Sequence, residues 1–114
     1  FRSFQVQARA RFTGGEGITL LALVVPGNGV YRLTLEKGGI DVSGRKVPFD
    51  VDDWHQYELK SGNGVNATLL VDGEILSAKI QPVKDDAYQK QALYILHCRE
   101  GVPGMAEMQY IRIH

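Results

Sequence analysis

The sequence is poor in the residues that build covalent or metal-based frameworks. Its 114 residues include a single cysteine, Cys98, so no internal disulfide can form. With three histidines besides, the chain lacks the His/Cys cluster that a structural zinc site requires. Cys98 ends an apolar run, and we expect it to be a small buried residue. Its neighbour His97 would point to the opposite face of a strand, so an activated thiol is not indicated.

An excess of either charge is also absent. Thirteen basic and thirteen acidic residues give a formal net charge of zero. Nucleic-acid binding draws its affinity mainly from phosphate neutralisation, so we expect no nucleic-acid partner. The sequence shows neither a signal peptide nor a transmembrane run, and we expect no membrane partner. The chain begins at Phe1 rather than Met, which we interpret as a mature product or a piece of a longer protein, so the missing signal says little about location.

Paired catalytic carboxylates are missing as well. Glycoside hydrolases generally use two carboxylates, about 5–5.5 Å apart for retention of configuration and further apart for inversion. The glutamates of this sequence are isolated from one another, and Asp50, Asp52 and Asp53 share a loop in which turn formation is the simpler explanation. We therefore expect that the protein is not an enzyme.

What the sequence does contain is a succession of short strand signals, clearest over residues 54–76. Two alternating apolar runs flank a turn at residues 61–64, and the second run ends at Asp72-Gly73. Asn-Gly and Asp-Gly favour tight hairpin turns because both residues tolerate a positive φ. The segment therefore predicts three consecutive antiparallel strands joined by two hairpins.

The same signals recur along the chain. Residues 4–12 alternate strictly between apolar and polar, which is typical of a half-buried strand, and residues 18–25 form an apolar run that favours a central strand. Further strands are predicted over residues 30–36, 40–42, 45–49, 74–80, 93–98 and 106–113. Short strands with a turn every ~8–12 residues predict an all-β sandwich or barrel.

Two segments allow finer predictions. In the last strand, we expect Ile111 and Ile113 to share a face with Gln109, while Tyr110 and Arg112 point the other way. Residues 82–91 predict either a helical turn capped by Asp85 or a surface loop, and the sequence does not separate the two. Residues 100–104 predict a Gly/Pro loop.

Several motifs together suggest a family. They are F-x-V-x-A-R-A-R-F at residues 4–12, G-x-Y-R-L-x-L at 29–35, D-D-W-H-x-Y-x-L at 52–59, N-A-T-L-L-V-D-G-E at 66–74 and Y-I-R-I at 110–113. The series resembles the concanavalin A-like lectin/glucanase superfamily, and most closely its laminin G-like and bacterial sugar-associated jelly-roll modules. The resemblance covers nearly the whole chain, and Trp54-His55 with Leu69 to Gly73 is its most specific part.

The resemblance implies a single concanavalin A-like domain over residues 1–114, an antiparallel two-sheet β-sandwich of the jelly-roll type. Members usually have more chain before the equivalent of Phe1, including a strand that pairs near the last one. We therefore expect that this strand is absent or that the domain is truncated at its N-terminus. The superfamily includes lectins, glycanases, adhesion modules and spacers, so the resemblance does not fix one activity. Its glycanases carry an E-x-D-x-x-E type cluster on one strand, which this sequence lacks.

Calcium is a cofactor that the resemblance suggests, because laminin G-like modules commonly bind it. Hard cations require several oxygen ligands. The candidate calcium ligands are Asp41, Asp52, Asp53 and Asp72. For Asp72, a role as the first residue of its hairpin turn is the alternative. Separately, Asn66-Ala67-Thr68 fits the N-glycosylation sequon, whose use would place that face in solvent.

A candidate ligand-binding surface lies on the polar side of the first strand. Gln5, Gln7, Arg9 and Arg11 share that side, and Tyr110 and Arg112 join it if the last strand pairs alongside, as the resemblance implies. Amide and guanidinium groups beside an aromatic ring suit sugar hydroxyls or a carboxylate-bearing sugar, because Arg offers a bidentate fork. The predicted ligand-binding residues are Gln7, Arg9, Arg11, Tyr110 and Arg112. The alternative is a solvated face or an interface with a neighbouring domain.

Three aromatic residues complete the set of candidates. Trp54 has the shape of a sugar-stacking platform, but the resemblance implies packing in the core or at the sandwich edge. Tyr31 and Tyr57 alternate with leucines and are predicted core residues.

Our leading hypothesis is a non-catalytic carbohydrate-binding or accessory module of a secreted or cell-surface carbohydrate-active protein. Its expected location is extracellular, cell-surface or periplasmic, and its expected partners are a glycan and a neighbouring domain of the larger protein. The alternative is a structural or protein-interaction β-sandwich module without a sugar ligand. A glycoside hydrolase comes third, because the carboxylate cluster is missing.

Overall fold

Short β-strands joined by tight turns make up the protein in a computed structural model, which describes residues 3–63, 65–86, 88, 93–98 and 101–113. The described strands are β1 (Phe4–Gly15), β2 (Gly17–Val25), β3 (Gly29–Glu36), β4 (Gly39–Val42), β5 (Arg45–Pro48), β6 (His55–Ser61), β7 (Ala67–Val71), β8 (Glu74–Ile80), β9 (Leu93–His97) and β10 (Gly104–Ile113). Each strand predicted from the sequence is present, with ends that differ by a few residues.

The strands form two antiparallel sheets of five. The first sheet has the order β10-β1-β6-β7-β8, and the second has the order β5-β4-β3-β2-β9. All strand pairs in the described residues are antiparallel, which confirms the predicted two-sheet β-sandwich. The described residues include no helix long and apolar enough to cross a membrane.

The core lies between the two sheets. Every second residue of β1 from Phe4 to Phe12 is buried, as its alternating sequence predicts. Tyr31 and Tyr57 are fully buried within the same core, which confirms that prediction for both. Burial raises the pKa of Tyr57, and the nearby carboxylates of Asp72 and Asp50 raise it further.

The predicted hairpin at Asp72-Gly73 is present between β7 and β8. Asp72 has a φ of 53° and Gly73 a φ of 86°, which are the positive values that a type I′ turn demands. The prediction that Asp72 begins this turn is therefore confirmed. Gly64, in the turn predicted at residues 61–64, and residue 100 of the predicted Gly/Pro loop lie outside the described residues.

After β8, the chain crosses the outer face of the second sheet. Val83 forms an isolated bridge with Val30, through backbone hydrogen bonds of 2.7 and 2.9 Å. Tyr88 follows and is only 1% exposed, packed with Ala22 and Val30 in a second small core. The described part of residues 82–91 is not helical, so it agrees with the loop alternative; residues 87 and 89–91 lie outside the description.

Two predictions are wrong. Gln109 does not share a face with Ile111, because the pairing of β10 with β1 shifts there and Gln109 becomes the extra residue of a bulge. Cys98 is exposed rather than buried, since it lies just past the end of β9 and not within the strand. Its thiol donates a hydrogen bond to the carbonyl oxygen of Gly104 at 3.3 Å.

Candidate functional site

The outer side of the first sheet carries the residues predicted to bind a ligand. Gln7 of β1 lies opposite Arg112 of β10, and Arg9 lies opposite Tyr110. On the other side of β1, strand β6 adds Gln56 and Glu58 to the same surface. We call this surface the polar face and define it by Gln5, Gln7, Arg9, Arg11, Gln56, Glu58, Tyr110 and Arg112, with Trp54 beside it. The structure thus brings all five predicted ligand-binding residues together.

One carboxylate fixes the two glutamines of the polar face. The Nε2 atoms of Gln5 and Gln7 donate hydrogen bonds of 2.8 and 2.9 Å to the two carboxylate oxygens of Glu58. These side chains come from neighbouring antiparallel strands, where residues on the same face are close enough to bond. Each amide keeps its carbonyl oxygen and a second N–H for other partners.

The two arginines of β1 lie against an indole ring. The Cζ atoms of Arg9 and Arg11 are 5.9 and 5.2 Å from the centre of the Trp54 ring, within the range of cation–π attraction. Arg9 also donates to Gln109 at 2.8 Å, and Arg11 forms an ion pair with Glu107 at 3.0 Å. Trp54 is half-buried, with its ring on the outer surface beside these arginines rather than in the core.

Strand β10 adds an aromatic ring to the same array. The hydroxyl of Tyr110 donates to the side-chain oxygen of Gln56 at 2.7 Å, across the whole width of β1. The Cζ atom of Arg112 lies 4.6 Å from the centre of the Tyr110 ring. Planar groups therefore follow one another along this surface, each oriented by a neighbour.

The four candidate calcium ligands are not brought together. Asp41 lies in the second sheet, with Arg32 at 3.8 Å and Lys46 at 3.7 Å. Asp52 and Asp53 are exposed in the loop before β6, where the backbone N–H of Asp52 donates to the side chain of Asp50 in a turn. Asp72 belongs to the hairpin of the first sheet. Within the ranges that the structure describes, no group of three or more His, Cys, Asp and Glu side chains is arranged to hold a metal ion. Calcium binding stays a prediction.

Asp72 forms a pair with His55 that the local sequence pattern does not predict. Its carboxylate accepts a hydrogen bond from the backbone N–H of Gln56 at 2.9 Å and lies 2.6 Å from Nδ1 of His55. Burial by itself would raise the pKa of Asp72, but the Gln56 N–H and the His55 ring lower it more, so the pKa lies below its usual value. The two residues are seventeen positions apart, and only the β6–β7 pairing brings them together.

We expect Asp72→Asn to destabilise the protein in a pH-dependent way. Asn tolerates the positive φ of this turn, so the substitution removes mainly the charge. A carboxyl group whose pKa is lowered in the folded protein stabilises the fold at pH values above its pKa in the unfolded chain, which is about 3.9. This stabilisation is lost as the pH falls through the pKa of the folded protein. After allowance for solvent exposure, the melting temperature should fall by roughly 3 °C at pH 7.

Thermal unfolding followed by circular dichroism between pH 7 and about pH 2.5 measures this difference. The gap between variant and parent should close at the acid end. The matched control is Asp53→Asn, since Asp53 is an exposed carboxylate in a nearby loop. A gap for Asp72→Asn that stays constant over the whole pH range would contradict the proposed role of its charge.

Comparison with known proteins bears on the fold. No protein-family model and no curated protein match the sequence. An alginate lyase of polysaccharide lyase family 7 superimposes with a TM-score of 0.64 and 10% identity, over 99% of this chain and 59% of the lyase. The protein has a jelly-roll β-sandwich fold. At this identity the likeness shows the fold alone, and the finer resemblance to laminin G-like modules stays a prediction.

Botulinum neurotoxin structures share the fold. Neurotoxin type C, whose cell entry depends on interaction with two ganglioside molecules, matches with a TM-score of 0.60 and 10% identity over 99% of this chain. The receptor-binding domain of the C/D mosaic serotype matches with a TM-score of 0.59 and 12% identity, also over 99% of this chain. This chain spans 32% of each toxin chain and 59% of the lyase, so it corresponds to part of these structures.

Proposed function

We propose that the protein is a non-catalytic glycan-binding module and that the polar face is its binding site. The observation that carries the proposal is the array of amide, guanidinium and aromatic groups from β1, β6 and β10 on one outer sheet surface. The neighbours in structure support it at the level of class, since one is an alginate lyase and the cell entry of another depends on interaction with two ganglioside molecules. An extracellular, cell-surface or periplasmic location is part of the same proposal.

The chemistry of the polar face suits a sugar that carries hydroxyl and carboxylate groups. Guanidinium groups bind carboxylates through two parallel hydrogen bonds, and amides both donate to and accept from hydroxyls. Arg9 and Arg11 are already oriented by Trp54 and by their partners on β10. Because less side-chain freedom remains to be lost, binding costs less conformational entropy.

A catalytic role has less support on this face. Its carboxylate Glu58 is bonded to two glutamines, and the neighbouring Glu107 is paired with Arg11. A glycosidase needs one carboxyl group that protonates the leaving oxygen and a second that acts on the sugar ring. Glu58 is engaged in hydrogen bonds with Gln5 and Gln7, and Glu107 is engaged in an ion pair with Arg11.

A protein-interaction module is the second candidate, and one observation favours it. Towards β8, the same sheet surface carries two neighbouring apolar side chains, Leu70 of β7 and Ile75 of β8, which lie opposite each other. The Ile75 side chain is 68% exposed, although it lies in a strand and not at a loop tip. An apolar area next to a polar one is typical of a surface that packs against another domain.

A glycan array with the purified protein, in the presence and absence of calcium, tests the proposal. We expect binding that Arg9→Ala and Arg11→Ala each weaken about tenfold or more, since each removes charge-assisted hydrogen bonds. The melting temperatures should change little, because both side chains lie on the surface. Lys46→Ala is the control, because it removes one positive charge from the opposite sheet and should leave affinity unchanged.

The outcomes separate the alternatives. Equal affinity in the arginine variants and the parent would refute the polar face as the site. Binding that requires calcium would support the metal prediction and direct attention to Asp41, Asp52, Asp53 and Asp72. A blank array under both conditions would refute glycan binding and favour the protein-interaction module.

A further inference from the structure

The edges of the two sheets differ in how well they are protected. An edge strand presents unpaired backbone groups that can pair with another chain, and proteins protect such edges with charges, proline, bulges, short strands or covering side chains. The edge strands here are β8 and β10 in the first sheet and β5 and β9 in the second. Three of these four are short, covered by a side chain or interrupted, whereas β10 has only two charged side chains, Glu107 and Arg112, and the bulge at Gln109.

The protected edges use different means. On β8, the Arg45 guanidinium donates to the carbonyl oxygens of Ala78 at 2.7 Å and Lys79 at 2.9 Å. Strand β5 has only four residues, which include two basic side chains and Pro48. Strand β9 has five residues, and its Leu96 has a φ of 50° that interrupts the extended backbone.

Strand β10 is long and has neither lysine nor proline. It spans ten residues, and only its start is covered: Gly104 lies against Gly17, and its carbonyl oxygen accepts the thiol hydrogen bond of Cys98. From Ala106 to Ile113 no strand of the described residues pairs with its outer edge. Ile113 is 60% exposed there.

We propose that β10 pairs in antiparallel fashion with β10 of a second copy of this chain, with the twofold axis between Gln109 and Tyr110. Each residue then lies opposite a partner of suitable chemistry. The opposed pairs are Ala106 with Ile113, Glu107 with Arg112, Met108 with Ile111, and Gln109 with Tyr110. Symmetry repeats each pair, so two opposite-charge pairs and two Met–Ile contacts form.

The bulge at Gln109 makes this register consistent. In a regular strand, an axis between two residues would place inward-facing side chains opposite outward-facing ones. The extra residue shifts the alternation by one position. Ala106 and Met108, which precede the bulge, therefore face the core, and so does Ile111, which follows it. The core-facing apolar residues of one copy therefore lie opposite core-facing residues of the other. In the same way, the solvent-facing Glu107 of one copy lies opposite the solvent-facing Arg112 of the other. A slip by one residue would place apolar side chains against polar ones.

The second copy would enlarge the surface described above. Two five-stranded sheets joined edge to edge form one sheet of ten strands, with neighbouring strands about 4.8 Å apart. Tyr110 of each copy then lies next to the axis, Arg112 lies opposite Glu107 of the second copy, and the two polar faces become continuous. The pairing itself does not depend on glycan binding, so it stands or falls separately from the proposed function.

Sedimentation equilibrium of the purified protein at roughly 100 µM tests the pairing. This concentration is high because a contact between two strands is a small interface and is expected to be weak. We expect a dimer. Glu107→Arg and Arg112→Glu should each weaken it at least tenfold, because each places like charges opposite each other at both symmetric positions. An equimolar mixture of the two variants should regain the dimer, because in the mixed pair positions 107 and 112 carry opposite charges again.

A second pair of variants controls for folding. Ile113→Lys places an inward charge on the β10 edge and should abolish the dimer. Ile75→Lys makes the same substitution at another exposed isoleucine, on the outer surface of β8, and should leave the dimer intact. Thermal unfolding confirms that each variant is folded. A monomeric parent protein, a mixture that does not regain the dimer, or equal effects of Ile113→Lys and Ile75→Lys would each overturn the proposal.

Discussion

Gly104→Ala is expected to destabilise the protein by about 3 kcal/mol or more. A Cβ atom at this position would lie 2.0 Å from the carbonyl oxygen of Gly17 and 2.4 Å from its carbonyl carbon. Both obstacles are backbone atoms, which cannot rotate away as a side chain can. The corner between β1 and β2 would have to move away from β10, and the hydrogen bond of 2.7 Å from Glu16 N–H to the Pro103 carbonyl would be weakened.

Urea unfolding measures this change directly. Gly62→Ala is the matched control, because a Cβ atom there has no neighbour within 4 Å, and we expect a change within about 0.5 kcal/mol. A Gly104→Ala variant as stable as the parent would mean that the corner is not packed against β10 as the structure has it.

Tyr88→Ala should cost about 3–5 kcal/mol, the range measured for large buried aromatic residues. The Tyr88 ring packs edge-on against Tyr94 at 5.0 Å and against His97 at 5.1 Å, and its hydroxyl lies 2.9 Å from the Thr19 hydroxyl. It anchors the crossing segment to the outer face of the second sheet. The loss should therefore concentrate there and leave the core between the sheets nearly intact.

Two measurements separate the packing of Tyr88 from its hydrogen bond. Tyr88→Phe keeps the ring and removes the hydroxyl, so we expect a loss of only about 1 kcal/mol. Native-state hydrogen exchange should show faster exchange at the Val83 and Val30 amides in Tyr88→Ala, while Val6 in β1 changes little. Equal losses of stability in the two variants would contradict the packing role, because the hydroxyl would then account for the whole effect.

The strands of this protein are predictable because their signals are local. Alternation in β1 depends only on which side of the strand each residue faces, and Asp72-Gly73 forms its turn from its own φ preferences. The predicted sharing of one surface by Arg9 and Arg11 follows from the same alternation. These features need no knowledge of distant parts of the chain.

The wrong and missing predictions concern contacts between distant segments. The bulge at Gln109 arises where β10 must match β1, and nothing in the sequence of β10 alone marks the extra residue. The exposure of Cys98 depends on where β9 ends relative to Gly104. The position of Trp54 beside Arg11 depends on the path of the loop before β6.

The candidate site was predictable only in part for the same reason. The contributions of Gln56 and Glu58 require that β6 pairs with β1, a pairing between strands separated by four others in the sequence. The ion pair of Arg11 with Glu107 likewise spans ninety-six positions. Local patterns identify the polar side of each strand, and only the sheet order shows which polar sides meet.

The position of β1 between β6 and β10 also affects how the protein forms during synthesis. Val6 pairs with Leu59 on one side and with Ile113 on the other. The second of these pairings cannot form until β10 has been synthesised. At about 5–20 residues per second, a ribosome would take roughly 5–20 s to supply that last strand. During this time the apolar side of β1 has only incomplete cover, and such late, non-local pairing is characteristic of slow-folding β-proteins. The nascent chain therefore stays exposed to aggregation until β10 emerges.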